Sequence, residues 1–378
     1  MATDTDTLVI GASSAGLATA ACLQQQDESF EVLEATDVVG TAWRHHYDRL
    51  HLHTPKSASA LPGLPMRSSW PRYPERDQVV EYLEKYVEVH GLAPHFNQPV
   101  SRIEYDGGAW VATTSDRQWR ARNVVVATGW TRVPVRPAWP GIDEFAGTVL
   151  HSSEYVNGEP WRGENVLVVG FGNSACEQAI DLTEHGAHPH LSVRSAVNVV
   201  PRDILGVVPV LQLGSVMKHL PSRLADALGA PLVRFSVGDI TDVGLRKLPY
   251  GPNTQIKQDR QIPLLDIGTM DLIRQGRIGV HGDITRFTPS GVVFEDGTQL
   301  EVDAVVLATG YRPGLADFLP EWSQVCDEDG RPLVSGGPTA LPGLFFCGMF
   351  VSPSGMLREA GREAQRLASI ISASDAHD

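Results

Sequence analysis

The chain has 378 residues, 42% of them hydrophobic and 20% charged, enough to bury a large core and form two or three ordinary domains. A formal net charge of −14 argues against a nucleic-acid partner, whose backbone calls for clustered Lys and Arg, so anionic ligands must be met by local sites. No stretch reaches the roughly 20 apolar residues of a membrane span, and the start Met1-Ala2-Thr3-Asp4-Thr5-Asp6 lacks a basic signal region, so no membrane partner and a cytoplasmic location are expected. Cys22, Cys176, Cys326 and Cys347 stand far apart without a C-x-x-C pair, which disfavours a disulfide scaffold, a zinc site and a thioredoxin-type redox pair.

In chain order, the apolar strand Thr7-Leu8-Val9-Ile10 feeds a glycine loop, Gly11-Ala12-Ser13-Ser14-Ala15-Gly16, and an alanine-rich helix to about Gln26. A second strand, Phe30–Leu33, ends in Glu34. The strand beginning at Val124 ends in an Ala-Thr-Gly turn with Thr128 and Gly129, and the Pro- and Gly-rich run from Val133 to Gly141 reads as a connection. The pattern then returns. Asn165–Val169 feeds Gly170-Phe171-Gly172-Asn173-Ser174-Ala175 and a helix ending near His185, with Gly186 as its cap, and the strand His190–Val193 ends in Arg194. From Asp203 to Ile267 the sequence is less regular, with apolar, helix-compatible pieces at Val207–Leu220 and Ser222–Phe235 and a loop-like Pro249–Asn253. This stretch reads equally as a substrate lid or as packing around the second sheet. A strand from Val305 repeats the Ala-Thr-Gly turn at Thr309 and Gly310.

In both repeats a short strand and a glycine turn bring backbone against a pyrophosphate at a helix N-terminus, so two units imply two dinucleotides. Glu34 and Arg194 stand 23 and 24 positions behind the first glycine of their loops. A carboxylate there accepts from the free ribose hydroxyls of FAD and repels a 2'-phosphate, whereas a guanidinium suits the 2'-phosphate of NADPH. The expected fold is α/β with two Rossmann-like dinucleotide-binding domains, the NADPH domain inserted in the FAD domain. Residues 1–155 and 300–378 are read as FAD-binding. Residues 156–299 are read as NADPH-binding, with an insertion at about 203–267. Ser13 replaces the middle glycine of the first loop, and the expected consequence is somewhat looser FAD binding rather than its loss.

Between the two units, Phe145-Ala146-Gly147-Thr148-Val149-Leu150-His151-Ser152-Ser153-Glu154-Tyr155 resembles the F-x-G-x-x-x-H-x-x-x-(Y/F) signature of flavin-containing monooxygenases. Tyr47-Asp48-Arg49-Leu50-His51-Leu52-His53-Thr54-Pro55-Lys56, Val193–Arg202, Pro263–Gly268 and Leu307–Tyr311 resemble the YUCCA-type branch in order and over the full length. The resemblance implies a flavoprotein in which NADPH reduces FAD, O2 adds to flavin C4a, and a small organic substrate is oxygenated. In that branch the substrates include indole-3-pyruvate, decarboxylated to indole-3-acetate. Gly11, Ser13, Ser14, Ala15, Gly16, Glu34, Gly40, Thr41 and Trp43 are then expected to line FAD, with His51 also against a cofactor. Gly170, Gly172, Asn173, Ser174, Arg194 and Ser195 are expected to line NADPH. Thr128, Gly129, Thr309 and Gly310 are expected to turn the chain beside the cofactors, and His151 to hold the domain junction.

His53 is the expected catalytic residue, standing where animal-type members carry Asn beside the reactive edge of the flavin. An imidazole with a near-neutral pKa in free solution donates or exchanges a proton there, or it packs beneath the ring. Three readings stay open at this stage: a monooxygenase acting on a 2-oxo acid or on nitrogen or sulfur, an NADPH oxidase or flavin reductase without oxygen transfer, and a nucleotide-binding module without catalysis. His45, His46, His51 and His53 lack the carboxylate or thiolate spacing that completes a metal site, so no metal is expected. Trp43, Trp130, Tyr155 and Tyr311 suit either a flavin wall or the core. The partners expected are a small molecule and O2, and a homodimer is left open.

Overall fold

Leu8 and Val9 are fully buried and Ile10 nearly so, as a central strand covered on both faces demands. In a computed structural model, which describes residues 2–204, 208–210, 220–352 and 354–375, this run belongs to β1 (Ala2–Ile10). Helix α1 (Ser14–Gln24) follows, and its Ala15, Ala18, Ala20 and Ala21 are small enough to let it lie close against the C-terminal helix Met356–Asp375. Strand β2 (Phe30–Leu33) pairs with β1 in parallel, and so does β3 (Gln118–Val126) on the other side. Trp110–Thr113 and Arg102–Tyr105 extend the sheet antiparallel beyond β3, while Leu344–Phe346 pairs with β3 in parallel. Trp110, Trp119 and Phe346 fill the core on this sheet.

The second sheet is parallel throughout. Its strands are β4 (Thr148–His151), β5 (Asn165–Val169), β6 (His188–Ser192), β7 (Gly279–His281) and β8 (Ala304–Leu307), in the spatial order β7-β6-β5-β8-β4. Helix α2 (Asn173–Glu184) joins β5 to β6. The chain divides into two units, one of Met1–Arg44, Thr54–Val133 and Tyr311–Asp378, the other of His45–His53 and Pro134–Gly310. Because β8 is hydrogen-bonded between β4 and β5, the second unit runs on to Gly310.

In the stretch from 203 to 267, Asp203–Ile204 pairs with Val208–Pro209 as a short hairpin and Ser222–Val237 is helical. The first apolar piece, read as helix-compatible from Val207, therefore begins with a strand at Val208–Pro209, and 207 and 211–219 lie outside the described residues. The loop read at Pro249–Asn253 also ends early. A helix starts at Pro252, where a fixed φ and a missing N–H suit the first helical position.

Candidate active site

The first glycine loop is fixed by sterics. Gly11 has φ +107°, and a Cβ there would stand 2.8 Å from the Ala127 carbonyl oxygen at the end of β3. A Cβ on Gly16 would stand 1.8 Å from the Gly11 oxygen, so the turn closes only with glycine at both ends. Ser13 has φ −110° and ψ −164°, extended backbone open to any residue, and is the N-cap of α1 without a side-chain capping bond. The Glu34 carboxylate is buried and already accepts from Ala12 N (2.8 Å), Thr36 N (3.1 Å) and Thr36 Oγ1 (2.9 Å). Thr36 Oγ1 lies 2.5 Å from Thr41 Oγ1, and Gly40 N donates to Ala12 O at 3.0 Å, so strand end, loop and residues 36–41 form one hydrogen-bonded ring. Trp43 lies half-buried on the short helix Thr41–Arg44. Thr128 Oγ1, beside Gly11, is buried without a hydrogen-bond partner among the described residues.

The second loop repeats the frame with different contents. Gly170 has φ +129°, and its Cβ would stand 2.6 Å from Ala308 O at the end of β8. Gly172, the N-cap of α2, has φ −85° and open space where a Cβ would go. Asn173 Oδ1 accepts from Leu265 N at 2.9 Å, so that side chain also pins the loop to the strand Leu264–Asp266. Arg194 and Ser195 are exposed at the end of β6. Arg246, 52 positions away, donates through its guanidinium to the Arg194 carbonyl, held there because Val197 N donates to Arg246 O at 2.8 Å and Val197 bridges Lys247. Nothing local in the sequence signals this second guanidinium. Thr309 Oγ1 donates to Val135 O at 2.5 Å, and His151, fully buried, has Nε2 3.1 Å from Gly310 O, so both hold the turn after β8. Burial lowers the pKa of His151.

A third cluster gathers on α2. Glu177, Asp181 and Glu184 are spaced by four and three residues and share one helix face. The segment His45–His53 lies against that face: Arg49 donates Nε and Nη2 to Glu184 at 2.9 and 3.0 Å, and His53 Nε2 lies 2.8 Å from Glu177 Oε1. Asp181 accepts from the Tyr155 hydroxyl at 2.6 Å, which makes Tyr155 a core residue of this unit. The Tyr47 hydroxyl is buried between Ser174 and Glu177, and burial first, then the Glu177 charge, holds its pKa well above 10. His51 Nδ1 lies 2.6 Å from Arg49 O and braces the same segment.

The model of the pyridine nucleotide-disulphide oxidoreductase family matches residues 8–204. Indole-3-pyruvate monooxygenase YUCCA1 of Oryza sativa subsp. japonica is 38% identical over 327 residues, covering 85% of this chain and 80% of that protein. The chain belongs to the YUCCA-type flavin monooxygenases. YUCCA6 of Arabidopsis thaliana is likewise 38% identical, over 87% of this chain and 81% of its own length. A variant of the flavin monooxygenase from Stenotrophomonas maltophilia superposes with a TM-score of 0.75 at 25% identity, covering 99% of each chain. The YUCCA-type chain is an NADPH-dependent flavin monooxygenase whose cofactors are FAD and NADPH. Its residues fit two such groups: both helix N-termini lack a side-chain cap and an acidic first turn, and Gly172 has open space where a Cβ would go. Among the described residues no group of three or more His, Cys, Asp or Glu is placed to hold a metal ion, and no helix is long and apolar enough to cross a membrane.

Proposed function

We propose that the protein oxidatively decarboxylates a 2-oxo acid of the indole-3-pyruvate type, with FAD on the first glycine loop and NADPH on the second. The observation that carries the assignment is the pair of uncapped helix N-termini behind Gly11 and Gly170, followed by strand ends of opposite charge, Glu34 and Arg194. The substrate class comes from the rice and Arabidopsis relatives, named for indole-3-pyruvate.

When bound, NADPH supplies a hydride and the flavin carries it and activates O2. The chain's own residues orient and protonate. Gly11, Gly16 and the first turn of α1 cradle one pyrophosphate, and Glu34, anchored by Ala12 and Thr36, keeps lone pairs for the ribose hydroxyls. Gly170, Gly172 and the first turn of α2 cradle the other, and Arg194 with Arg246 meets the 2'-phosphate. His53 exchanges the proton that sets whether the oxidant attacks a carbonyl. The balance is one 2-oxo acid, one O2, one NADPH and one proton giving the shortened acid, CO2, water and NADP+. The same reading gives the protein no nucleic-acid or membrane partner, places it in the cytoplasm, and allows a homodimer.

Anaerobic reduction by NADPH, followed by oxygenated buffer with indole-3-pyruvate, tests the proposal. One indole-3-acetate per NADPH is expected. Release of peroxide with the 2-oxo acid unchanged would overturn it.

A further inference from the structure

Glu177 is 2% exposed, and a carboxylate so far from water costs several kcal/mol unless other groups meet it. Two side chains do: the Tyr47 hydroxyl, which is itself hydrogen-bonded to Ser174, and the ring of His53. The two ring nitrogens of His53 are not equivalent. Nε2 is 2.8 Å from Glu177 Oε1, although the carboxylate lies off the N–H axis and completes no aligned hydrogen bond. Catalytic hydrogen bonds are often misaligned before the reacting complex forms and tighten within it. Nδ1 is buried and has no hydrogen-bond partner among the described residues.

An anionic oxygen beside Nε2 selects the tautomer that carries its proton there, which leaves the Nδ1 lone pair free. A buried acceptor left unmet costs about 1–3 kcal/mol, which a proton donor brought against it would recover. We propose that Glu177, held by Tyr47, is the positioning residue for His53: it keeps the proton on Nε2 and turns Nδ1 into the acceptor for a proton from the reacting group. In that step the O–H bond of the reacting group breaks, an N–H bond forms at Nδ1, and the electron pair stays on oxygen. The imidazolium so formed faces the Glu177 carboxylate, and the same proton returns when the oxygen needs a leaving hydrogen. The role rests on the proposed function, because it is His53 in proton exchange that Glu177 would serve.

The test reads the imidazole itself. In the full-length protein with 15N-labelled histidine, long-range nitrogen–proton correlation distinguishes the two tautomers, and His53→Asn identifies the His53 signals by their loss. The wild type is expected to carry its proton on Nε2 with a bare Nδ1. Glu177→Gln, which keeps the shape and removes the charge, is expected to give a mixture of tautomers and about tenfold less oxygenated product per NADPH, by analogy with the low end of the loss seen when the outer-shell partner of a metal-bound histidine is removed. A wild-type His53 protonated on Nδ1, or a Glu177→Gln protein with the wild-type tautomer, overturns the proposal. The wild-type spectrum decides alone if the variant does not fold. Since it needs no turnover, the expected tautomer without any oxygenated product would count against the function and not against the placement of Glu177.

Discussion

The two glycine loops share one backbone and differ in what has been fixed in advance. At their first position both need a left-handed glycine against a carbonyl oxygen, Ala127 in one and Ala308 in the other. Behind it the first loop is closed: Gly16 touches Gly11, and the Glu34 carboxylate is buried and bonded to its own loop. The second loop is open: Gly172 faces free space, and Arg194 stands exposed with Arg246 beside it. A preordered, buried acid suits a cofactor that stays, since little remains to be ordered when it binds. Exposed guanidinium groups suit one that must bind and leave in each cycle. On the proposed assignment, one supersecondary unit would serve a resident and an exchanging ligand, and the burial of its strand-end residue is one of the features that would tell them apart.

Four measurements break or sharpen this contrast. The largest effect belongs to Gly16→Ala, whose methyl would overlap the Gly11 oxygen. It is expected to lose bound flavin and at least about 3 kcal/mol of stability, read by flavin absorbance and denaturant unfolding, whereas Ala175→Gly at the matching place costs only about 1 kcal/mol. Next, Arg194→Ala is expected to weaken NADPH by roughly 1.5–3 kcal/mol and leave NADH unchanged in binding titrations; equal losses would remove Arg194 from phosphate recognition.

The third is acid sensitivity of the second unit. His190 Nδ1 lies 3.0 Å from His281 Nε2, and burial, then the charges of His281 and His188, lower its pKa from 6.5 to about 4. The folded form binds this proton less readily than the unfolded chain. The stability is therefore present above pH 6.5 and lost as pH falls through about 4. Thermal unfolding across that window should report a loss on the order of 1–3 kcal/mol, flattened by His190→Gln. The smallest effect is expected of Ser13→Gly: since Ser13 has φ −110°, glycine relieves nothing, and stability should move by less than about 1 kcal/mol.

What the sequence discloses depends on range. The glycine loops, their strands and the charges of Glu34 and Arg194 are local patterns, readable because a strand, a turn and a helix follow one another within some thirty residues. The ease with which Ser13 replaces a glycine was not readable, since it depends on the sign of one φ angle. Arg246 was hidden because a bridge between Val197 and Lys247 carries it to Arg194 across 52 positions. Tyr47 and Glu177 were hidden for the same reason: the first reads as part of a family motif and the second as one more polar residue on a helix, until the fold brings them together.

The segment from His45 to His53 also ties folding to synthesis. Its Arg49 meets Glu184 across 135 positions, so the ribosome makes the strap roughly 7–30 s before the acid that holds it. Until then Tyr47, destined to be 2% exposed, has no slot to enter, and the second unit has to recruit a piece of chain made long before its own first strand. A polypeptide of 134–310 produced alone would leave Glu177 and Glu184 without His53 and Arg49. Such a fragment should therefore emerge less stable than its length suggests, and adding a peptide of 45–53 in trans should restore part of the loss.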